Sequence, residues 1–190
     1  FNIDANTGVL TFKNAPNFEA PADNGTDNVY DVTVTASDGA LSSSAQAVAI
    51  TVTNVNENPA FTSATTASVA ENQTAAIDVN ANDGDGGAAD AGVTYSLTGG
   101  ADQALFNIDT NSGVVTFKNA PNFEAAGDNG ANNVYDIQVT ANDTANTAAQ
   151  SIAITVTSVN EAPTVTSAAT ANFAENATGT VYTVSGGHSP

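Results

Sequence analysis

The sequence predicts an all-β protein made of tandem antiparallel β-sandwiches of the Greek-key kind. Three observations predict it. The first is an internal repeat: TFKNAPNFEA occupies residues 11–20 and returns at residues 116–125, 105 positions further on. FNIDANTGV at 1–9 returns as FNIDTNSGV at 106–114, and DNGTDNVYDVTVTASD at 23–38 as DNGANNVYDIQVTAND at 128–143. AITVTNVNENP at 49–59 returns as AITVTSVNEAP at 153–163. Such a period is too long for a helical solenoid or a propeller blade and suits a whole small domain. The second observation is an apolar pattern with a period of two, the mark of strands with one buried face. The third is that several such runs, rich in Val and Thr and separated by turn residues, fall within about 100 residues, while no window shows a helical period.

The elements follow in chain order. Tyr30, Val32 and Val34 alternate with Asp31 and Thr33, and Val48, Ile50 and Val52 alternate with Ala49 and Thr51. Val93, Tyr95 and Leu97 make a further run, and the second copy repeats the first two runs with Tyr135, Ile137 and Val139, then Ile152, Ile154 and Val156. Clusters of Asn, Asp and Gly at 22–28, 80–92 and 126–133 supply turns. Aligning the copies predicts one complete repeat at 59–162, flanked by two partial ones. Residues 1–58 read as the C-terminal part of a preceding repeat, and residues 163–190 as the start of a third. The joints Asn54–Pro59 and Ser158–Pro163 are short and polar and end on a proline, so they read as stiff connections.

Charge narrows the function classes. Two basic residues, Lys13 and Lys118, stand against 20 acidic ones, for a formal charge of −18. That excess excludes nucleic acid and anionic membrane surfaces as natural partners. Disorder, the other common meaning of acidic excess, does not fit a chain that is 41% apolar in regular alternation. No Cys, Met or Trp is present, so no disulfide, thiolate nucleophile or thiolate zinc site can form. No apolar stretch approaches the length of about 18 residues that a membrane-spanning helix needs.

Five acidic or amide motifs stand at fixed places, four of them in two copies. They are Glu71 and Glu175 in AEN; Asn17 and Glu19 in PNFE, matched by Asn122 and Glu124; and the joint Asn54, Asn56, Glu57, Asn58, matched by Ser158, Asn160, Glu161, Ala162. Asp83 and Asp85 in NDGDGG follow, and then Asp38, matched by Asp143. Each is close to a turn or strand end, where oxygens can converge. Ca²⁺ takes about six to eight oxygens from carboxylates, amides and backbone carbonyls. Taken singly, an Asp-x-Asp in a Gly loop reads as a plain turn; recurrence in order within a domain-sized repeat favours metal ligation. Zinc is disfavoured, with no Cys and His188 as the only His.

These motifs resemble the cadherin repeat, over nearly the whole chain. The resemblance rests on A-E-N, on D-x-D-x-G before Val93-Thr94-Tyr95-Ser96-Leu97, on F-N-I-D-x-N-x-G, and on Y-D-x-x-V-T-A-x-D. P-N-F-E stands in place of the family's L-D-R-E, and N-V-N-E-N-P-A-F in place of D-x-N-D-N-x-P-x-F. The wording is similar to the bacterial cadherin-like repeats of large secreted surface adhesins. The resemblance implies an immunoglobulin-like sandwich architecture, calcium at the joints, neighbouring repeats as partners, and an extracellular or cell-surface location. At the first joint it implies Glu19, then Asn54, Glu57, the carbonyl of Asn56 and the side chain of Asn58, then Asp83, Asp85 and Asp143. At the second it implies Glu71, Glu124, Asn160 and Glu161. Asn54 and Ser158 replace an Asp, and Ala162 an Asn, so less charge and fewer or weaker ions are expected than in animal cadherins.

Other readings stand beside these. The loop Asp23–Asn28 reads as a solvated hairpin before it reads as an ion site, since Asn132 replaces Asp27 in the second copy. Tyr30, Tyr135, Phe106 and Phe117 alternate with polar residues and are expected in the core, not on a sugar-stacking platform. Nucleophilic catalysis lacks its parts: no Cys, one His, and no Gly-x-Ser-x-Gly turn. Paired carboxylates could hydrolyse glycosides, but those seen here are accounted for by metal ligation, so no enzyme is expected. The reading is a calcium-stiffened spacer of a surface protein, with a polysaccharide-binding module of a secreted glycanase as the alternative. Aromatics in an exposed row would favour the second, and aromatics pointing inward the first.

Overall fold

In the computed structural model, which describes residues 1–85 and 92–187, the alternating runs are strands and the Asn/Asp-rich segments are turns. His188 and the last two glycines of the NDGDGG motif lie outside the described residues. The strands are β1 (Asn2–Ile3), β2 (Leu10–Thr11), β3 (Val29–Val34), β4 (Gln46–Thr51), β5 (Ala60–Phe61), β6 (Thr66–Ala70), β7 (Ala75–Asp78) and β8 (Ala81–Asn82). They continue with β9 (Thr94–Gly99), β10 (Phe106–Ile108), β11 (Val114–Phe117), β12 (Val134–Asn142), β13 (Thr147–Thr157), β14 (Thr164–Val165) and β15 (Gly186–Gly187). The only helical turn among the described residues is a 3-10 turn at Gln103–Leu105. The chain divides into two units: Phe1–Asn58 with the segment that starts at Asp83, and Pro59–Asn82 with the described chain from Gly92 onward.

The first unit holds two hairpins. β1 pairs with β2, and β3 pairs with β4 from Val29↔Thr51 to Val34↔Gln46. The β1–β2 turn closes on a side chain: Asp4 Oδ1 accepts the backbone N–H of Asn6 at 2.8 Å and of Thr7 at 2.9 Å. Asp109 repeats this with Asn111 and Ser112 at 3.0 and 2.9 Å. Such Asx turns explain why F-N-I-D-x-N-x-G folds locally. Phe12 stands edge-on to Tyr30 with centroids 5.1 Å apart, and Phe117 to Tyr135 at the same 5.1 Å. The copies therefore share their internal packing as well as their sequence.

The second unit is a two-sheet sandwich, ordered β6-β13-β12-β9 in one sheet and β10-β11-β7 in the other, with the short pair β5-β8 besides. β12 and β13 form its longest ladder, from Val134↔Thr155 to Asn142↔Thr147. One pairing is parallel: β6 lies on β13 from Ala153↔Thr66 to Thr157↔Ala70. Alternation sets which face a residue takes but not strand direction, so the parallel edge was not readable. Val79, Tyr95, Phe106, Val115, Phe117, Tyr135, Ile137, Val139, Ile152, Ile154 and Val156 fill the space between the sheets at 3% exposure or less. Burying one such side chain contributes about 1.5–3 kcal/mol, and all of them lie in this unit. Gly113 holds φ +73, and a Cβ there would stand 2.0 Å from the carbonyl oxygen of Val79. Beyond Pro163 the described residues form only the short pair β14–β15, and Val165, Val181 and Val184 are largely exposed.

Candidate metal centre

The first unit brings three of the expected ligands together. Glu19, Glu57 and Asp85 each present a carboxylate oxygen within 4.8 Å of the other two. PNFE delivers Glu19 through a turn in which Asn17 Oδ1 accepts the N–H of Glu19 at 2.8 Å and of Ala20 at 3.2 Å. Asn28 fastens this loop from below, donating Nδ2 to the carbonyl oxygen of Phe18 at 2.9 Å, and Asn133 does the same to Phe123. Gly84 permits the approach of the Asp83–Asp85 loop to Glu57: its φ is +85, and a Cβ would meet the Glu57 Cβ at 3.0 Å. Inside that loop Asp83 Oδ1 accepts the Asp85 N–H at 3.2 Å.

The carboxylates crowd one another electrostatically. Partial desolvation, then the charges of Glu19, Asp85 and Asp83, push the Glu57 carboxyl above its ordinary value. Glu19 Oε1 is buried without a hydrogen-bond partner, an orphan acceptor that a native structure needs to satisfy. The chain has only two lysines to offer, and Lys118 donates to the carbonyl oxygen of Ala104. The donor set is all oxygen, as a hard cation requires.

The other expected ligands differ in their engagement. Asn54 donates Nδ2 to Asp85 Oδ1 at 3.0 Å, so its amide braces a carboxylate in this arrangement. Asn56 donates Nδ2 to the carbonyl oxygen of Glu57 at 3.2 Å, and Asn58 is exposed. Asp143 lies in the second unit, where its Oδ1 accepts the N–H of Ala145 and Asn146 at 2.9 and 2.6 Å. Its counterpart Asp38 closes the equivalent turn on Ala40 and Leu41.

In the second unit Glu71 is 3% exposed and accepts two backbone N–H groups, Phe123 on Oε2 and Val159 on Oε1, both at 2.8 Å. These two bonds hold its carboxyl below the ordinary value. They tie the end of β6 to the PNFE loop and to the joint. Glu161 accepts the Asn72 amide at 2.6 Å, while Glu124 and Asn160 are exposed. Among the described residues this set forms no three-carboxylate group like that of the first unit.

Asp23 and Asp128 turn inward on their loops. Each carboxylate accepts three backbone N–H groups, those of Gly25, Asp27 and Asn28 or of Gly130, Asn132 and Asn133. Asp102 is a buried carboxylate that the sequence pattern did not single out. It is 4% exposed and accepts the N–H of Asn129 at 2.7 Å and of Asp136 at 2.8 Å, tying the 3-10 turn to β12. Its counterpart would precede Phe1, so the repeat could not reveal it.

A sandwich of this topology, with the same acidic turns in both copies, defines a tandem β-sandwich repeat module. Residues 65–160 match the cadherin domain model, and the chain belongs to the cadherin domain family. Halomucin of Haloquadratum walsbyi (strain DSM 16790 / HBSQ001) is 44% identical over 71 residues, which are 37% of this chain and 1% of that protein. The protocadherin gammaB7 EC3-6 cis-dimer structure is similar over 76% of this chain and 37% of its own, at 27% identity and a TM-score of 0.54. The protocadherin gamma B2 structure of extracellular cadherin domains 1–5 shares the fold at 24% identity and a TM-score of 0.52, over 77% of this chain and 29% of its own.

Proposed function

We propose that this chain is a stretch of an extracellular spacer or adhesion protein whose repeats are stiffened by Ca²⁺ at their joints. The observation that carries this reading is the convergence of Glu19, Glu57 and Asp85 around the unpartnered buried oxygen of Glu19. Calcium would supply the positive charge that lets these carboxylates stay ionised side by side. Asp83 and the oxygens of the Asn54–Asn58 joint are the further donors. A surface location agrees with the cadherin family. The second joint is proposed as the weaker site, since Glu71 spends a lone pair of each oxygen on backbone N–H groups. Partners are calcium and the neighbouring repeats, and the surface or polysaccharide ligand of the whole protein is not specified by these residues. The alternative of a polysaccharide-binding module finds no support in the aromatics of the central sandwich, because Tyr95, Phe106, Phe117 and Tyr135 are buried in its core.

The test is calorimetric titration of the chain with calcium, beside the Asp85→Ala variant. The expected result is saturable binding to the parent and an affinity lower by at least about tenfold in the variant, a loss of about 1.4 kcal/mol. A parent chain that releases no binding heat and gains no thermal stability from calcium removes the reading. Equal affinity and stoichiometry in both proteins returns Asp85 to the role of a turn residue.

A further inference from the structure

The chain carries Asn-Gly twice, at residues 24–25 and 129–130, and both fall at the same place in the repeat. Asparagine is thermolabile, and glycine has no side chain to shield its nitrogen, so Asn-Gly closes on itself readily. The glycine nitrogen, once it has given up its proton, attacks the side-chain Cγ of the asparagine. A C–N bond forms, the Cγ–Nδ2 bond breaks, and ammonia leaves with the proton. Water then opens the five-membered imide at either carbonyl. One opening gives aspartate; the other gives isoaspartate, with one more carbon in the main chain. The sum is amide plus water to carboxylate plus ammonium, with no oxidant or reductant.

Asn24 and Asn129 are both exposed, so water reaches them. The nitrogen each would need is held. Gly25 donates its N–H to Asp23 Oδ2, and Gly130 donates its own to Asp128 Oδ2, both at 3.0 Å. Asp27 and Asn132 donate to the same oxygens at 3.1 and 3.0 Å, and Asn28 and Asn133 to the other carboxylate oxygens at 3.1 and 2.9 Å. Burial alone would raise the carboxyls of Asp23 and Asp128, but these backbone bonds outweigh it and hold both below the ordinary value. Both are therefore charged acceptors at neutral pH. The same arrangement recurs after Asn6 and Asn111: Thr7 donates to Asp4 Oδ1 and Ser112 to Asp109 Oδ1, both at 2.9 Å.

We propose that Asn24 and Asn129 are self-modification sites of this chain and that Asp23 and Asp128 hold them in check, each by keeping the glycine nitrogen as a hydrogen-bond donor. A bond to a charged acceptor is stronger than one between neutral groups, and it favours the nitrogen that still carries its proton. Asparagine in place of the aspartate would also close such a turn; the charge is what retains the proton. Failure of the restraint has a structural consequence. Isoaspartate at 129 lengthens the main chain between Asp128 and Gly130 and draws the loop's N–H groups away from the carboxylate. Asn133, at the end of that loop, donates Nδ2 to the carbonyl oxygen of Phe123, so the loss passes to the PNFE turn. The proposal does not rest on the calcium reading.

The test keeps the full chain at mildly alkaline pH and follows the change of amide to acid at each asparagine by peptide mapping and mass spectrometry. In the folded parent, Asn24 and Asn129 should change at least about tenfold more slowly than in urea. Asp128→Ala should speed Asn129 by at least about tenfold and leave Asn111, in the same sandwich, at the parent rate. Asp128→Asn, which keeps an acceptor oxygen without the charge, should fall between. Asp23→Ala should act in the same way on Asn24 alone. If Asp128→Ala speeds Asn111 too, the sandwich has opened, and Asp128→Asn with Asp23→Ala decides. Equal rates in the folded and the urea-unfolded parent overturn the proposal. So does a folded Asp128→Ala chain in which Asn129 changes at the parent rate, or more slowly, as it would if the carboxylate promoted the reaction.

Discussion

Glu57 lies beside Glu19, Asp85 and Asp83, and that crowding raises its proton affinity. A carboxyl whose folded pKa is raised contributes stability below its unfolded value and loses it as pH rises through the folded one. In chelator at neutral pH, Glu57→Gln should therefore melt higher than the parent, and the gap should close on acidification through the carboxylate range. In saturating calcium the order should reverse, because the variant loses a ligand. Melting curves in the two buffers check both signs, and a variant that melts lower in chelator at neutral pH contradicts the account. At this scale the sequence was informative where a residue recurred. Glu19 and Glu57 stood out because their motifs return in order, and Asp85 because its Asp-x-Asp loop fits the family resemblance; the three converge. The expectation for Asn54 rested on oxygen count alone, which cannot tell an amide that ligates from one that donates to a neighbouring carboxylate, as Asn54 does to Asp85.

The paired strands β4 and β13 offer a controlled comparison at the scale of the element. Ile50 and Ile154 are equivalent residues that face Tyr30 and Tyr135 across matching ladders. Ile154 is fully buried, and Ile50 is half-buried. Ile154→Ala should cost about 2–5 kcal/mol, as cavity-forming changes in cores do. Ile50→Ala should cost less, because its side chain is less completely covered. Urea midpoints followed for each variant decide it; equal losses would mean that β4 is as well covered as β13. Alternation made both strands readable, with their faces, since inward residues in the sequence are inward in the structure. The parallel placement of β6 was not readable, because a period of two is the same in either direction. The 3-10 turn at Gln103–Leu105 was also hidden, being too short for a helical period to show.

For the whole molecule the question is how evenly a chain of charge −18 is held. All the fully buried apolar side chains among the described residues lie between Val79 and Val156. Carboxylates, by contrast, are spread from Asp4 to Glu175. Cohesion is thus concentrated in the sandwich that holds Val79 to Val156. Flanking segments keep local order through side-chain turns such as those of Asp4, Asp23 and Asp38, whose backbone hydrogen bonds cost little to open. Local opening is easiest where few apolar contacts must break, and proteases cut there. Limited proteolysis of a dilute sample in calcium should first cut beyond Pro163, where Val165 is 71% exposed. Cuts within residues 1–58 should follow, leaving a fragment close to 59–162. Equal protection of the whole chain at high dilution would show that both flanks are held as firmly as the central sandwich, against the distribution of buried surface on which this expectation rests.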